Sequence, residues 1–393
     1  MMSSLYTIPP HNTSPEIDAL FQWASDNGAN VEQVRVEQNN LGIRGVFAAK
    51  DFAPGELIIH MPANCILGAD TARLSAIGQA IQGAANADQS EHAYLAMFML
   101  ADKAHAMSKW NDYYNTIPWK FTDHPLFYGE DRLAQLKGSA ALEIIYRRRF
   151  SLQQSYQSLT DVMGKMQEFT LTDYLNIRTA INSRCFAANL NGHPQVAMIP
   201  LVDILNHAKD GNCQRGSDQG GYSVWAKGPI AEGTELTHNY GNKNPQRYFA
   251  HYGFLHESTE DDECTILIQL DSNCPALTEK MKLLNISQPV LELVLGHNIS
   301  QGIEQAMPLL RVAANKTGLF AKSRLSGKQP SNTDAAALLL LETGLKNKLR
   351  CYQANKHTPF SGNSEPIITG LLQREKQLLQ NYLTACSQAK LAV

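Results

Sequence analysis

The sequence predicts a mixed α and β protein, in which a β-rich part is interrupted by a long helical insertion and followed by an all-α C-terminal domain. Three observations carry that expectation. Short runs of β-branched and aromatic residues, cut by Gly, Pro and Asn, fill the region after residue 30 and return in two later segments. Between about residues 70 and 182 that punctuation thins out. Beyond about residue 265, leucines recur at helical spacing. With 393 residues the chain exceeds the size at which one core stops growing, so two domains are expected.

Taken in order, residues 1–29 read as a polar leader and a short helix around Glu16 to Ser25. The run "VEQVRVEQNNLGIRGVFAAKDFAPGELIIHMP" reads as strands separated at Asn39-Asn40, Gly42, Gly45 and Pro54-Gly55. "SEHAYLAMFMLADKAHAM" is apolar nearly all round, the pattern of a helix inside a core. Strand texture resumes in "VAMIPLV" and in "GYSVWAKGPIAEGTELTHNYG", with a turn at Ala231 to Gly233. After the charged link "HESTEDDEC" the chain is expected to be helical. Leu338, Leu341, Leu345 and Leu349 form one stripe, and Leu371, Leu378 and Tyr382 form another. Such stripes read as core.

Composition excludes several functional classes. Hydrophobic residues make up 44% and charged residues 18%, the mixture of a folded protein. The net charge of -3, from 34 basic and 37 acidic side chains, gives no global attraction to nucleic acid or to an anionic membrane. The seven cysteines are odd in number and contain no C-x-x-C pair, which points to reduced thiols in a cytoplasmic setting and away from zinc; nuclear or organellar locations stay open. The N-terminal stretch lacks a basic and apolar signal pattern, and no apolar run reaches membrane-spanning length.

Several polar groupings stand out. Gly42 and Gly45 flank Arg44 just before a strand, compatible with close approach of backbone to a ligand, though a plain turn is the simpler reading of these residues alone. Asp203 and His207 lie four apart and could face one metal if helical, but no third ligand stands at a recognisable spacing, and a capping network is the simpler reading. In "IPLVDILNH" an apolar segment runs straight into Asn206 and His207, which are costly to bury unless each polar atom is satisfied.

Four pieces in order, "GIRGVFAAKDFAPGELIIHMP", "INSRCF", "IPLVDILNH" and "NYGNKNPQRYFAHYGF", resemble the motifs of SET-domain protein methyltransferases. The branch is that of the plant Rubisco large-subunit lysine methyltransferase and the actin histidine methyltransferase. The resemblance implies a SET-domain β fold with a knot-like crossing over residues 30–256, a helical insertion at about 70–182, and a helical substrate-binding domain over 265–393. It implies S-adenosyl-L-methionine as methyl donor, no metal, and a protein substrate bound across both domains of a monomer. Carried over by position, it assigns Arg44 and Gly45 to the strand-turn framing the donor, Arg184 to its charged amino-acid end, and Asp203, Asn206 and His207 to its pocket. Tyr240 corresponds to the tyrosine at the methyl-transfer channel, and Tyr252 to another aromatic wall residue.

The chemistry suits these residue types. Methyl transfer from a sulfonium to a nitrogen lone pair is an in-line displacement, so alignment is most of what a protein contributes. A lysine must first lose a proton against an ordinary pKa of ~10.4, and an apolar aromatic channel disfavours its charged form. In the resembled branch the residue two after the arginine of "SR" is aromatic in lysine-methylating members and asparagine in the histidine-methylating one; here it is Phe186, which points to lysine. One departure stands against that pattern: a tyrosine is expected shortly after Asn-His, but Cys213, Gln214 and Arg215 occupy that neighbourhood. The sequence thus leaves a protein-lysine methyltransferase first, a histidine methyltransferase second, and a lapsed SET-fold binding module third. The degree of methylation and the target protein carry no motif.

Overall fold

Period-two alternation of apolar residues builds twelve strands among the residues that the computed structural model describes, which are 14–38, 43–163, 169–217, 220–315, 332–353 and 365–391. They are β1 (Val34–Gln38), β2 (Arg44–Ala48), β3 (Leu57–Pro62), β4 (Leu67–Gly68), β5 (Cys185–Leu190), β6 (His193–Met198), β7 (Asn206–His207), β8 (Cys213–Ser217), β9 (Gly221–Ala226), β10 (Glu235–His238), β11 (Glu263–Gln269) and β12 (Val290–Gly296). The first ten form three small sheets in the orders β1-β2-β10-β7, β3-β9-β8 and β4-β6-β5. By contact the chain divides into two compact units, one of residues 1–121 and 149–241, the other of residues 122–148 and 242–393.

In the first unit, helix Pro15–Asp26 follows the leader, most of which, with Gly42, lies outside the described residues. Helix Glu91–Lys103 is the expected core helix: Ala93, Tyr94, Leu95, Ala96, Met97, Met99 and Leu100 are all buried. Ser90 caps it by accepting from the Ala93 N–H. Helix Leu171–Arg184 starts with a reciprocal capping box between Thr170 and Asp173 and runs directly into β5. That direct passage fixes Arg184 at a helix end and Phe186 in a strand.

The short strand β7 is decisive for the site. It pairs parallel with β10, Asn206 opposite Thr237 and His207 opposite His238. Asn212 holds the same junction, donating from Nδ2 to the Glu235 carbonyl at 2.9 Å and accepting from the Thr237 N–H at 2.9 Å. Gly211 is required here, because a Cβ would meet the His238 Cα at 2.5 Å.

In the second unit the leucine stripes are core as expected: Leu338, Leu341, Leu345, Leu371, Leu378 and Tyr382 are buried. The expectation of an all-α segment after residue 265 is corrected by β11 and β12, paired antiparallel from Glu263–Gly296 to Gln269–Val290. Their inward faces alternate, Cys264, Ile266 and Ile268 against Leu291, Leu293 and Leu295, a period that the neighbouring leucine stripes obscured. Residues Leu133, Leu136, Ala141 and Ile145, within the expected insertion, share this unit's core. Among the described residues no helix is long and apolar enough to cross a membrane.

Candidate functional site

The segment that carries the motif turns sharply before it becomes polar. Leu201 has a φ of 63° and a ψ of -41°, and the Val202 N–H donates across it to the Pro200 carbonyl at 2.8 Å. A positive φ on a branched residue is a strained γ-turn, which costs about 1–3 kcal/mol and persists only where surrounding structure enforces it. It delivers Asp203 inward on a short 3-10 turn, with Asn206 and His207 following in β7. The two-residue strand rules out a helical Asp203–His207 pair, and among the described residues no three His, Cys, Asp or Glu side chains could hold a metal.

Asp203 is 7% exposed and lies in a network of charge. The Tyr113 hydroxyl donates to its Oδ2 at 2.8 Å, Arg184 Nη1 stands 3.5 Å from the same oxygen, and Arg184 Nη1 also donates to the Asp203 carbonyl at 2.9 Å. Arg44 donates from Nη2 to the Thr116 carbonyl at 2.9 Å. Burial pushes the Asp203 carboxyl up, against the downward pull of Arg184, Tyr113 and Arg44. Burial and the neighbouring Arg184 lower the Arg44 guanidinium from its ordinary value, partly offset by Asp203 and Tyr113. Arg184 Nε is buried without a hydrogen-bond partner. Two guanidiniums thus face one carboxylate, leaving positive charge and a spare donor.

Asn206 is half-buried, and its amide is satisfied. Its Nδ2 donates to the Arg44 carbonyl at 3.0 Å and to Glu235 Oε1 at 2.7 Å. Gly45 makes that possible, since a Cβ there would stand 2.4 Å from Glu235 Oε1 and 3.0 Å from Asn206 Nδ2.

From His207 the site continues as a chain of rings. His207 Nδ1 accepts the Tyr240 N–H at 3.1 Å, and the two rings lie 5.2 Å apart. The Tyr240 hydroxyl donates to the Leu205 carbonyl at 2.8 Å, and its ring is 4.8 Å from His238. Phe186 follows, 5.7 Å from His238 and 5.7 Å from Tyr222. Burial, then Arg215, pushes the His238 imidazole down to about 3, so it is neutral. Of the three residues at the expected tyrosine position, Arg215 reaches this cluster, its guanidinium 4.7 Å from the centre of the Phe186 ring.

The structure therefore brings Arg44, Gly45, Arg184, Phe186, Asp203, Asn206, His207 and Tyr240 into connected networks of one unit. Tyr252 belongs to the second unit, at the end of helix Pro245–Tyr252, with rings of Tyr248 and Phe254 at 6.1 and 5.9 Å. Sequence reasoning missed Tyr113, Glu235 and His238. His238, two before Tyr240, could have been found by its place in "HNYG". Tyr113 carries no sequence signal, because a buried tyrosine in a helical insertion looks like any core aromatic.

Residues 43–241 match the SET domain family model. The actin-histidine N-methyltransferase of Rhinolophus ferrumequinum is 25% identical over 271 residues, 63% of this chain and 43% of the relative. That of Mus musculus is 23% identical over 95% of this chain and 62% of its own length, so the match spans less than two thirds of either relative. Among solved structures, the SET domain of LSMT bound to lysine and AdoHcy superimposes with a TM-score of 0.76 at 18% identity, over 96% of this chain and 92% of that one. With the Asn206–His207 junction, the ring chain and a family match across half its length, this chain belongs to the SET-domain family.

Proposed function

We propose that this chain is an S-adenosylmethionine-dependent protein N-methyltransferase that modifies a lysine side-chain nitrogen of a protein substrate in a cytoplasmic setting. The observation that carries the reading is the β7–β10 junction, which seats Tyr240 on His207 and commits its hydroxyl hydrogen to the Leu205 carbonyl. The residues fit the donor: the spare Nε of Arg184 and the excess of guanidinium over carboxylate around Asp203 suit a ligand that carries its own carboxylate.

S-adenosylmethionine, when bound, supplies an electrophilic methyl on a sulfonium. Arg184 anchors the donor's carboxylate, Arg44 and Gly45 frame it, and Asn206 and His207 hold its nucleoside end. Tyr240, with its hydrogen already donated, presents oxygen lone pairs that accept an N–H of the incoming amine and so turn the amine's own lone pair toward the methyl. Phe186 gives an apolar face to the lysine stem and favours the uncharged amine.

A second reading, transfer to histidine, is favoured by the actin-histidine N-methyltransferase relatives and by the polar Arg215–His238 pair beside Phe186. Tritiated methyl transfer into a cell lysate, followed by mass spectrometry of the labelled band, separates the two. Labelled lysine is expected; labelled histidine transfers the assignment to the second reading. Tyr240→Phe is expected to slow transfer by about 10²-fold or more, because a misaligned acceptor loses its in-line geometry. If calorimetry finds no S-adenosylmethionine binding, the chain is instead a lapsed binding module.

A further inference from the structure

Arg215 stands on β8 and makes three contacts. Its Nε donates to His238 Nδ1 at 2.9 Å, its Nη1 donates to the Tyr222 hydroxyl at 2.8 Å, and its guanidinium covers the Phe186 ring. Among the described residues each of these partners is uncharged, and no carboxylate pairs with the guanidinium. Among the described residues, no carboxylate of the neighbouring strands bonds to the guanidinium. From β9 comes the Tyr222 phenol, raised above its ordinary pKa by burial although Arg215 pulls it down. Toward His238 the other charged or titratable groups are the Tyr240 phenol, with its ring 4.8 Å away, and His207 and Lys227, the last two of which disfavour a further positive charge. The Cys213 thiol is pushed up to about 12 by burial, the Cys185 thiol of β5 up to about 11, and the Glu235 side chain of β10 is turned to Asn206.

The contact with Arg215 also fixes a tautomer. His238 Nδ1 lies 3.1 Å from the Asn239 carbonyl, which would call for a proton on Nδ1, and 2.9 Å from Arg215 Nε, which forbids one. A guanidinium has no lone pair to offer and keeps its protons throughout the physiological range. Nδ1 is therefore the acceptor and Nε2 carries the hydrogen.

Resting on the methyl-transfer reading, we propose that Arg215 is a positioning and specificity-determining residue: a permanent cation behind the Phe186–His238 face that favours the acceptor nitrogen in its uncharged form and holds His238 as a donor at Nε2. A cation without a counter-ion close to an amine favours release of the amine's proton, moving its pKa down by about one unit in a partly screened interior. This replaces the missing tyrosine with a different device. Where an aromatic ring shapes a channel, a charge behind the ring selects the protonation state of what enters.

The test is single-turnover transfer of tritiated methyl into the labelled lysate band, with the full chain in excess, between pH 6 and 10. The rate is expected to rise to a plateau as the acceptor loses its proton. Arg215→Gln should move the midpoint of that rise upward by about one pH unit, whereas Arg215→Lys, which keeps the charge, should leave it in place. An unmoved midpoint in Arg215→Gln, or an equal loss of rate at every pH in both variants, overturns the inference while leaving methyl transfer standing. No transfer by the unaltered protein overturns the methyl-transfer reading and this inference with it. Independently of activity, nitrogen NMR of histidine-labelled protein should find His238 Nδ1 without a proton; a protonated Nδ1 also overturns the assignment.

Discussion

Asp203 in the first unit and Glu375 in the second are both carboxylates withdrawn from water, 7% and 3% exposed, but the groups around them differ in kind. Glu375 is hydrogen-bonded by neutral donors, Ser139 Oγ at 2.9 Å and Gln246 Nε2 at 2.6 Å on one oxygen and the Tyr352 hydroxyl at 3.0 Å on the other, with a smaller pull from the Lys348 cation. Asp203 has one neutral donor, Tyr113, and its remaining compensation is cationic. Neutral donors close a carboxylate off and tie together the elements that supply them. Guanidiniums leave a field that extends beyond the carboxylate, and here an Nε to spare. The same cost of burial therefore yields a staple in one unit and a charged network with a spare donor in the other.

Deleting one partner of each carboxylate should separate the two designs. Arg184→Met is expected to give the largest loss, about 3–5 kcal/mol, because it leaves a buried charge without its ion partner. It should also abolish S-adenosylmethionine binding in calorimetry. Tyr352→Phe removes a neutral donor to a charged acceptor and should cost about 1.5–3 kcal/mol. Hydrogen exchange read peptide by peptide assigns each loss to its unit; an Arg184→Met protein as stable as the unaltered one would remove the basis of the contrast.

Next in size is a dependence on pH. Burial raises both carboxyls above their ordinary values, so in the window from the ordinary carboxylate pKa up to the folded one the folded protein holds more protons than the unfolded chain. Stability from these groups is then present at low pH and lost as pH rises through that window. Glu375→Gln should flatten this decline in peptides of the second unit and leave that of the first, as urea unfolding followed by hydrogen exchange at pH 4 to 7 would record. The smallest expected effect on stability is Gly45→Ala. The atom that its Cβ meets first is the far end of the flexible Glu235 side chain, so the fold should lose about 1 kcal/mol or less. Donor affinity should fall more, since Glu235 can move only by releasing Asn206.

The parts of this molecule legible in sequence were those with a local signature. The strands flanking Pro54-Gly55, the core helix at Glu91–Lys103 and the Asn206-His207 motif each carry their pattern within a few residues. What escaped depends on partners distant in the chain. Tyr113 enters the Asp203 network only because Asp203, ninety positions later, meets its hydroxyl. The strain at Leu201 has no compositional mark, because the residue type is one that resists it. The tyrosine position could be narrowed to Cys213, Gln214 or Arg215; strand alternation in β8 sets exposed Gln214 apart, and reach decides between the other two, since Cys213 is buried and Arg215 carries its guanidinium to Phe186.

The two-residue pairing of Asn206–His207 with Thr237–His238 also bears on how the protein reaches its native state. It is a parallel bridge between segments that no hairpin can join, and Arg44, Tyr113 and Arg184 must arrive from still earlier in the chain. Closing such loops costs entropy before any contact repays it, which makes folding of high-contact-order units slow. The network around Asn206 and His207 is then expected to be among the last features to assemble during refolding, and recovery of ligand binding should lag behind recovery of helical signal.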